Sequence, residues 1–222
     1  MRRDTVISIT RKVVAGLTTP LNRRALRRGV GMAIEHQATL RDLPTMATVI
    51  DGGANCGQFA LVARRLWPEA AIQAIEPMED GLRTIRDVFD KDSYFTLFDC
   101  ALGDMAGVAT MHVSRASDSS SLLEIGAGQV EEFPQTAAAG TQEIPVVRLD
   151  DLLSAADLAA PILLKLDLQG GELDALSGAT TLLASVDYVY TEVSFKSLYA
   201  RQPLAGDICR FLTTAGFDLV AL

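Results

Sequence analysis

Five acidic residues close five short apolar runs. Asp51 follows Ala47-Thr48-Val49-Ile50, Glu76 follows Ala71-Ile72-Gln73-Ala74-Ile75, and Asp99 follows Tyr94-Phe95-Thr96-Leu97-Phe98. Asp167 follows Pro161-Ile162-Leu163-Leu164-Lys165-Leu166, and Glu192 follows Asp187-Tyr188-Val189-Tyr190-Thr191. Runs of this kind suit strands buried in a parallel sheet. Singly, an acid after a strand is as readily the N-cap of the next helix as a functional group. Five at one sheet edge make an electronegative rim, suited to a ligand with positive charge, hydroxyls to anchor, or both. That carboxyl edge is where open α/β sheets bind their ligands.

Asp51 leads into Gly52-Gly53-Ala54-Asn55-Cys56-Gly57. Glycines relax the backbone where a strand turns sharply into a helix. Such a turn can present main-chain N–H groups and a helix N-terminus to a ligand. A carboxylate in front of it would repel a pyrophosphate and attract a cation. Glu76 lies about 25 residues further on, where an acid takes the two hydroxyls of a ribose. An NAD-dependent oxidoreductase shares that acid but not Asp51, and Ala54 stands at the second glycine of GxGxxG. S-adenosylmethionine suits the pattern better, with a ribose, no phosphate, a sulfonium and an ammonium group.

The elements that must position these residues alternate strand with helix. Strands are expected at 47–51, 71–75, 94–98, 161–167 and 187–193, and helices at 57–67, 78–89, 172–184 and 204–215. That rhythm is the sign of a parallel sheet with helices on both faces. It breaks in the middle. Residues 108–113 alternate like an added strand, 114–142 read as a long loop holding Ser117-Asp118-Ser119-Ser120-Ser121, and a strand at 143–148 precedes a short helix at 150–157. Residues 217–220 begin a sixth strand. Ahead of the sheet, 5–40 read as helical, with one helix ending at Pro20 and a second over 22–36. The expected organisation is a basic helical segment, 1–44, before one domain, 45–222.

At 222 residues and 49% hydrophobic, the chain can bury a sizeable core. Three scattered cysteines, no CxxC and two histidines argue against a disulfide framework or a zinc site. A reducing, cytoplasmic setting is expected. No apolar run approaches a membrane span, and Arg11 and Lys12 interrupt the first apolar stretch, so no signal peptide is expected. Residues 1–41 carry nine Lys/Arg against two acids, a formal +7 on a chain of net charge −8. Such an arm could contact nucleic acid or an anionic membrane surface. The preferred reading is a solvated helix face paired with the domain's own acids. No nucleic-acid partner is expected, and the oligomeric state is open.

Taken together, Val49–Gly57, Ala74-Ile75-Glu76-Pro77, Ala101-Leu102-Gly103-Asp104, Val147–Leu152, Leu164–Glu172 and Thr191-Glu192-Val193 resemble the FkbM family of S-adenosylmethionine-dependent methyltransferases. The resemblance covers about residues 45–220. It implies a Rossmann-like, mostly parallel sheet that methylates hydroxyls of natural products or of glycolipid and polysaccharide sugars. It further implies that Asp51, Gly53, Ala54, Asn55 and Gly57 form the turn under the methionine part. Glu76, followed by Pro77, would hold the ribose, and Asp99, Cys100 and Ala101 would sit beside the adenine. Asp167 would face the methyl group and orient or deprotonate an acceptor hydroxyl, with Glu192 and His112 behind it. His112 reads better as a surface residue of the added hairpin, and Lys165 as the partner of a buried acid. The family's sheet ends in an antiparallel hairpin of strands six and seven. This chain stops at Leu222, so its final strand is expected to be missing. The alternatives are an NAD-dependent oxidoreductase and a non-catalytic binding module on the same fold.

Overall fold

The computed structural model describes residues 19–222, the side chains of Ser117 and Ala127 apart, so the helix expected before Pro20 lies outside the described residues. The strands are β1 (Thr48–Gly52), β2 (Ala71–Ile75), β3 (Phe95–Phe98), β4 (Ala101–Leu102), β5 (Gly107–Ser114), β6 (Ala138–Val147), β7 (Ile162–Leu166) and β8 (Tyr188–Thr191). Five of them form one parallel sheet in the order β3-β2-β1-β7-β8. The central pair, β1 and β7, is buried along its whole length, as its β-branched and leucine-rich residues require.

Strand order reverses between β1 and β7. From β1 the chain moves out to β2 and β3, then returns across the sheet to β7 and β8. In register, Gly52 lies opposite both Ile75 and Leu166, so Asp51, Glu76 and Asp167 reach the same edge. The switch point therefore falls beside the glycine turn.

Each face of the sheet carries its own apolar layer. On one face, helix Gln58–Leu66 buries Phe59 through Ala63, and helix Glu79–Phe89 buries Leu82, Ile85, Val88 and Phe89. On the other, Leu149, Ala175, Leu176 and Ile208 pack against Ile50, Ile162, Leu164 and Leu166.

The segment before β1 joins the first layer through Ala25, Val30, Met32, Ala33 and Leu40. Its helix is shorter than expected. It runs Pro20–Arg27, capped by the Thr19 hydroxyl, which accepts from Asn22 N–H at 3.1 Å. Gly29 then turns left-handed (φ 76°), and residues 34–40 form only a 3₁₀ turn and a single helical turn. Arg24 and Arg28 reach Asp90 and Asp87 of the domain at 3.2 and 2.7 Å.

The added hairpin is β5, antiparallel to β6 in a separate sheet of order β4-β6-β5. Three other expectations are corrected. The loop expected over 114–142 holds a helix, Ala127–Glu132, and the first residues of β6. The helix expected over 172–184 stops at Ser177, where the Gly178 N–H bonds back to the Asp174 carbonyl. Residues 182–185 follow as 3₁₀. Residues 217–222, after helix Ala205–Thr214, form no strand. Among the described residues no helix is long and apolar enough to cross a membrane.

Candidate active site

The site begins where β1 ends. Gly53 has φ 74°, and a Cβ there would lie 1.9 Å from the Asp167 carbonyl oxygen, so this position admits only glycine. The turn uses its own donors. Gly53 and Ala54 N–H both bond Ile75 O at 3.0 Å, Asn55 N–H bonds Glu76 Oε2 at 2.8 Å, Cys56 N–H bonds Gln58 Oε1 at 3.1 Å, and Gly57 N–H bonds Ala54 O at 2.7 Å. Five successive amides are thus engaged within the protein. None of these five amides is left for a ligand, so the turn itself offers no concave nest to a pyrophosphate.

Glu76 ends β2 with its two oxygens used symmetrically. Oε2 accepts from Asn55 N–H and Oε1 from Met78 N–H, each at 2.8 Å. Burial pushes its carboxyl up to about 7, against the two amide hydrogen bonds that favour the charged form. Each oxygen keeps lone-pair capacity toward the cleft beside it. That cleft is open to solvent and has an apolar slot of Ile75, Leu102, Met111 and Leu122. Its polar end is formed by Asn55, Asp118 and Asp167.

Asp51 has a different surrounding from the one its position suggests. It is fully buried and 2.9 Å from the Lys165 ammonium. The lysine also donates to Gly52 O and Gly53 O, at 3.1 and 2.9 Å, and neither Asp51 oxygen receives a well-aligned hydrogen bond. Burial alone would lower the Lys165 pKa, but the charges of Asp51 and Asp167 outweigh it and raise the pKa, so the lysine is protonated. Asp51 is thus countered by an internal cation and lines neither compartment of the site.

Asp167 ends β7 on a turn shaped by Glu172, whose Oε1 accepts from Leu168 N–H at 2.7 Å and Gly170 N–H at 3.3 Å. Gln169, left-handed at φ 55°, aims its amide back across the turn. Its Nε2 donates to Asp167 Oδ1 at 2.8 Å and to Glu192 Oε2 at 3.2 Å, while its Oε1 accepts from the buried Tyr199 hydroxyl at 2.9 Å. Glu192 reaches solvent, yet the protein packed around it, then the neighbouring Asp167, pushes its carboxyl up to about 8.

Of the residues singled out from sequence, Gly53, Asn55, Glu76, Pro77, Cys100, Ala101 and Asp167 line this cleft. Ala54 lines a second compartment that opens from it. Gly57, at φ 85°, instead packs toward the Phe89 ring. Asp99 points outward to Arg86 at 3.4 Å, Glu192 stands behind Gln169, and His112 lies on β5 paired through its backbone with Ser121. The serine run forms cleft wall, not slack loop. Asp118 and Ser120 face the cavity, and the Ser121 hydroxyl donates to Gln169 O at 2.7 Å. Gln169, Tyr199 and Asp118 had no role assigned from sequence. Only Gln169's place in the Asp167–Gly171 motif pointed to it. Among the described residues no cluster of His, Cys, Asp and Glu could hold a metal ion.

A family model described as "Methyltransferase FkbM domain" matches residues 51–219. The chain is 28% identical over 179 residues to a protein of Sinorhizobium fredii (strain NBRC 101917 / NGR234) named 2-O-methyltransferase NoeI, covering 78% of this chain and 73% of that one. It is 29% identical over 147 residues to Methyltransferase 1 of Beauveria bassiana (strain ARSEF 2860), covering 61% of this chain and 59% of the relative. Among solved structures, precorrin-6y C5,15-methyltransferase of Geobacter metallireducens GS-15 aligns with a TM-score of 0.41 at 16% identity, over 82% of this chain and 71% of that one.

Proposed function

The chain belongs to the FkbM methyltransferase family, and from that membership we propose that it moves a methyl group from S-adenosylmethionine to a hydroxyl. The acceptor is a small molecule or glycan, either a secondary metabolite or a sugar of a glycolipid or polysaccharide. The observation that carries the donor is Glu76, a buried carboxylate with one lone-pair position per oxygen left for two ribose hydroxyls. The engaged amides of the adjoining turn argue against a pyrophosphate, and with it against NAD. The slot between Ile75, Leu102 and Met111 suits a flat adenine bordered by Cys100 and Ala101. Asn55 and Asp167 would hold the polar end, where a carboxylate favours positive charge.

When bound, S-adenosylmethionine supplies a methyl carbon made electrophilic by the sulfonium. The protein's part is alignment and proton handling. Asp167 lies where the two compartments meet and would accept a hydrogen bond from the acceptor hydroxyl, fixing the direction of its lone pair. Gln169 anchors Oδ1 of that carboxylate, which leaves Oδ2 for the hydroxyl. The relative named as a 2-O-methyltransferase supports oxygen as the accepting atom.

Calorimetry tests the donor. S-adenosylhomocysteine is expected to bind at least about tenfold tighter than NAD, and Glu76→Ala to weaken it by ~1–3 kcal/mol, the value of a charged hydrogen bond. Tighter NAD binding, or an unchanged affinity in the variant, would refute the assignment.

A further inference from the structure

Past Gly53, Asn55, Asp118 and Asp167 the cleft continues into a second compartment. One wall is Glu35 and His36, from the segment that precedes the sheet. The other is Gln58, Phe59 and Lys165. The first compartment has the shape and apolar slot of a nucleoside site, whereas this one is walled mostly by polar side chains and shares only the polar end of the first.

His36 is fixed in that wall from three directions. Its Nδ1 lies 2.8 Å from the Tyr190 hydroxyl on β8. Its ring stands edge-on to Tyr190 at 5.5 Å and 86°, and to Phe59 at 5.6 Å and 68°. Among the described residues no partner engages Nε2. A ring held at one nitrogen and open at the other is the arrangement of a general base.

We propose that the second compartment is the acceptor site, taking a neutral, hydroxyl-rich molecule, and that His36 Nε2 is the base that receives the hydroxyl proton. The proposal rests on the methyl-transfer reading above. In this reading Nδ1–H donates to the Tyr190 hydroxyl across the 2.8 Å contact, which puts the lone pair on Nε2. As the acceptor O–H bond breaks, its proton passes to Nε2. The oxygen electron pair forms the bond to the methyl carbon, and the carbon–sulfur pair returns to sulfur, leaving a neutral thioether and an imidazolium. Asp167 orients the hydroxyl from the other side. Asp118 and Asp167 on the wall disfavour an anionic acceptor. Burial lowers the His36 pKa from its ordinary 6.5. Glu35, Asp167 and Asp51 act against that and Lys165 with it, while Tyr190 and Phe59 face the ring uncharged, so the ring is neutral at pH 7.

The chain has two histidines, so the ring signals of ¹⁵N-histidine protein can be assigned with one variant, His36→Asn. Methyl α-glucoside and methyl α-mannoside, added to the complex with S-adenosylhomocysteine, are expected to move the His36 signals and leave those of His112. Glucose 6-phosphate should move neither. His36→Asn should keep its S-adenosylhomocysteine affinity within about threefold and lose ~10²-fold in methyl transfer to the glycosides. With both substrates saturating, so that titration of Glu76 at the donor site does not enter, it should also lose the acid limb of the kcat profile, which lies below pH 6.5 in the wild type. Tyr190→Phe should fall between. Unmoved His36 signals in a protein that binds S-adenosylhomocysteine would overturn the acceptor site alone. A retained acid limb, or a parallel loss of S-adenosylhomocysteine affinity, would overturn the role of His36. A wild type that does not bind S-adenosylhomocysteine removes the donor reading and this proposal together.

Discussion

Glu76→Gln separates a ligand-binding carboxylate from a structural one through the pH dependence of stability. The wild-type carboxyl titrates at about 7 in the folded protein against an ordinary 4.5. The folded chain therefore holds a proton that the unfolded chain releases across that window. Below 4.5 both states are protonated and there is no penalty. As pH rises the penalty grows, and above about 7 it is complete at ~3 kcal/mol, since each unit corresponds to about 1.4 kcal/mol. Glu76 as a residue is 5% exposed, so solvent screening removes little of this. Glutamine removes the titration but turns an NH₂ toward either Asn55 N–H or Met78 N–H, a loss of ~1–3 kcal/mol at every pH. The variant is thus expected to be the less stable protein at pH 4.5 and to gain ~3 kcal/mol on the wild type by pH 8. In a chain of this length that is a relative gain in Tm of about 6–12 °C. Thermal unfolding of both proteins at matched ionic strength over pH 4.5 to 8 measures it. Parallel profiles would refute the reasoning, because they would mean that Glu76 does not carry a desolvated charge. The destabilisation is the kind a ligand relieves, since ribose hydroxyls donating to Glu76 favour its ionised form.

Two further outcomes follow from the same turn and its lysine. Gly53→Ala would meet the Asp167 carbonyl at 1.9 Å at φ 74°, whereas Gly29→Ala has φ 76° and nothing within 4 Å. Urea unfolding should give ~1 kcal/mol for Gly29→Ala, the left-handed penalty alone, and over about 3 kcal/mol for Gly53→Ala; equal losses would mean that the close approach does not matter. Lys165→Met strands Asp51 in the core and should cost ~3–5 kcal/mol in the same measurement. The double variant with Asp51→Asn should recover part of that, and no recovery would mean that the lysine acts chiefly through the carbonyls of Gly52 and Gly53.

The parallel sheet, its strand ends and Glu76 were legible because they depend on local pattern. Alternating β-branched runs determine the strands, and an acid at the end of the second one meets the cleft whatever else the chain does. What the pattern could not carry is pairing across distance. Asp51 reads as a charge waiting for a ligand until β7 puts Lys165 opposite it in register, 114 positions later. Lys165 itself could be read as some acid's partner, because a lone lysine in a buried strand has to be compensated. The serine run looked slack for a similar reason. Its composition favours disorder, but Ser121 and Ser119 are tied to Gln169 and Tyr199, 48 and 80 residues away. His36 was hidden inside a helical period that Gly29 and Gly31 interrupt. Residues 217–220 have the side chains of a strand and no neighbour to pair with, and a strand exists only as a pair. These misses bear on selectivity. With Asp51 already paired to Lys165, the proposed preference for a cationic, phosphate-free ligand rests instead on features that only the folded turn reveals, namely the five engaged amides of residues 53–57 and the two half-used oxygens of Glu76.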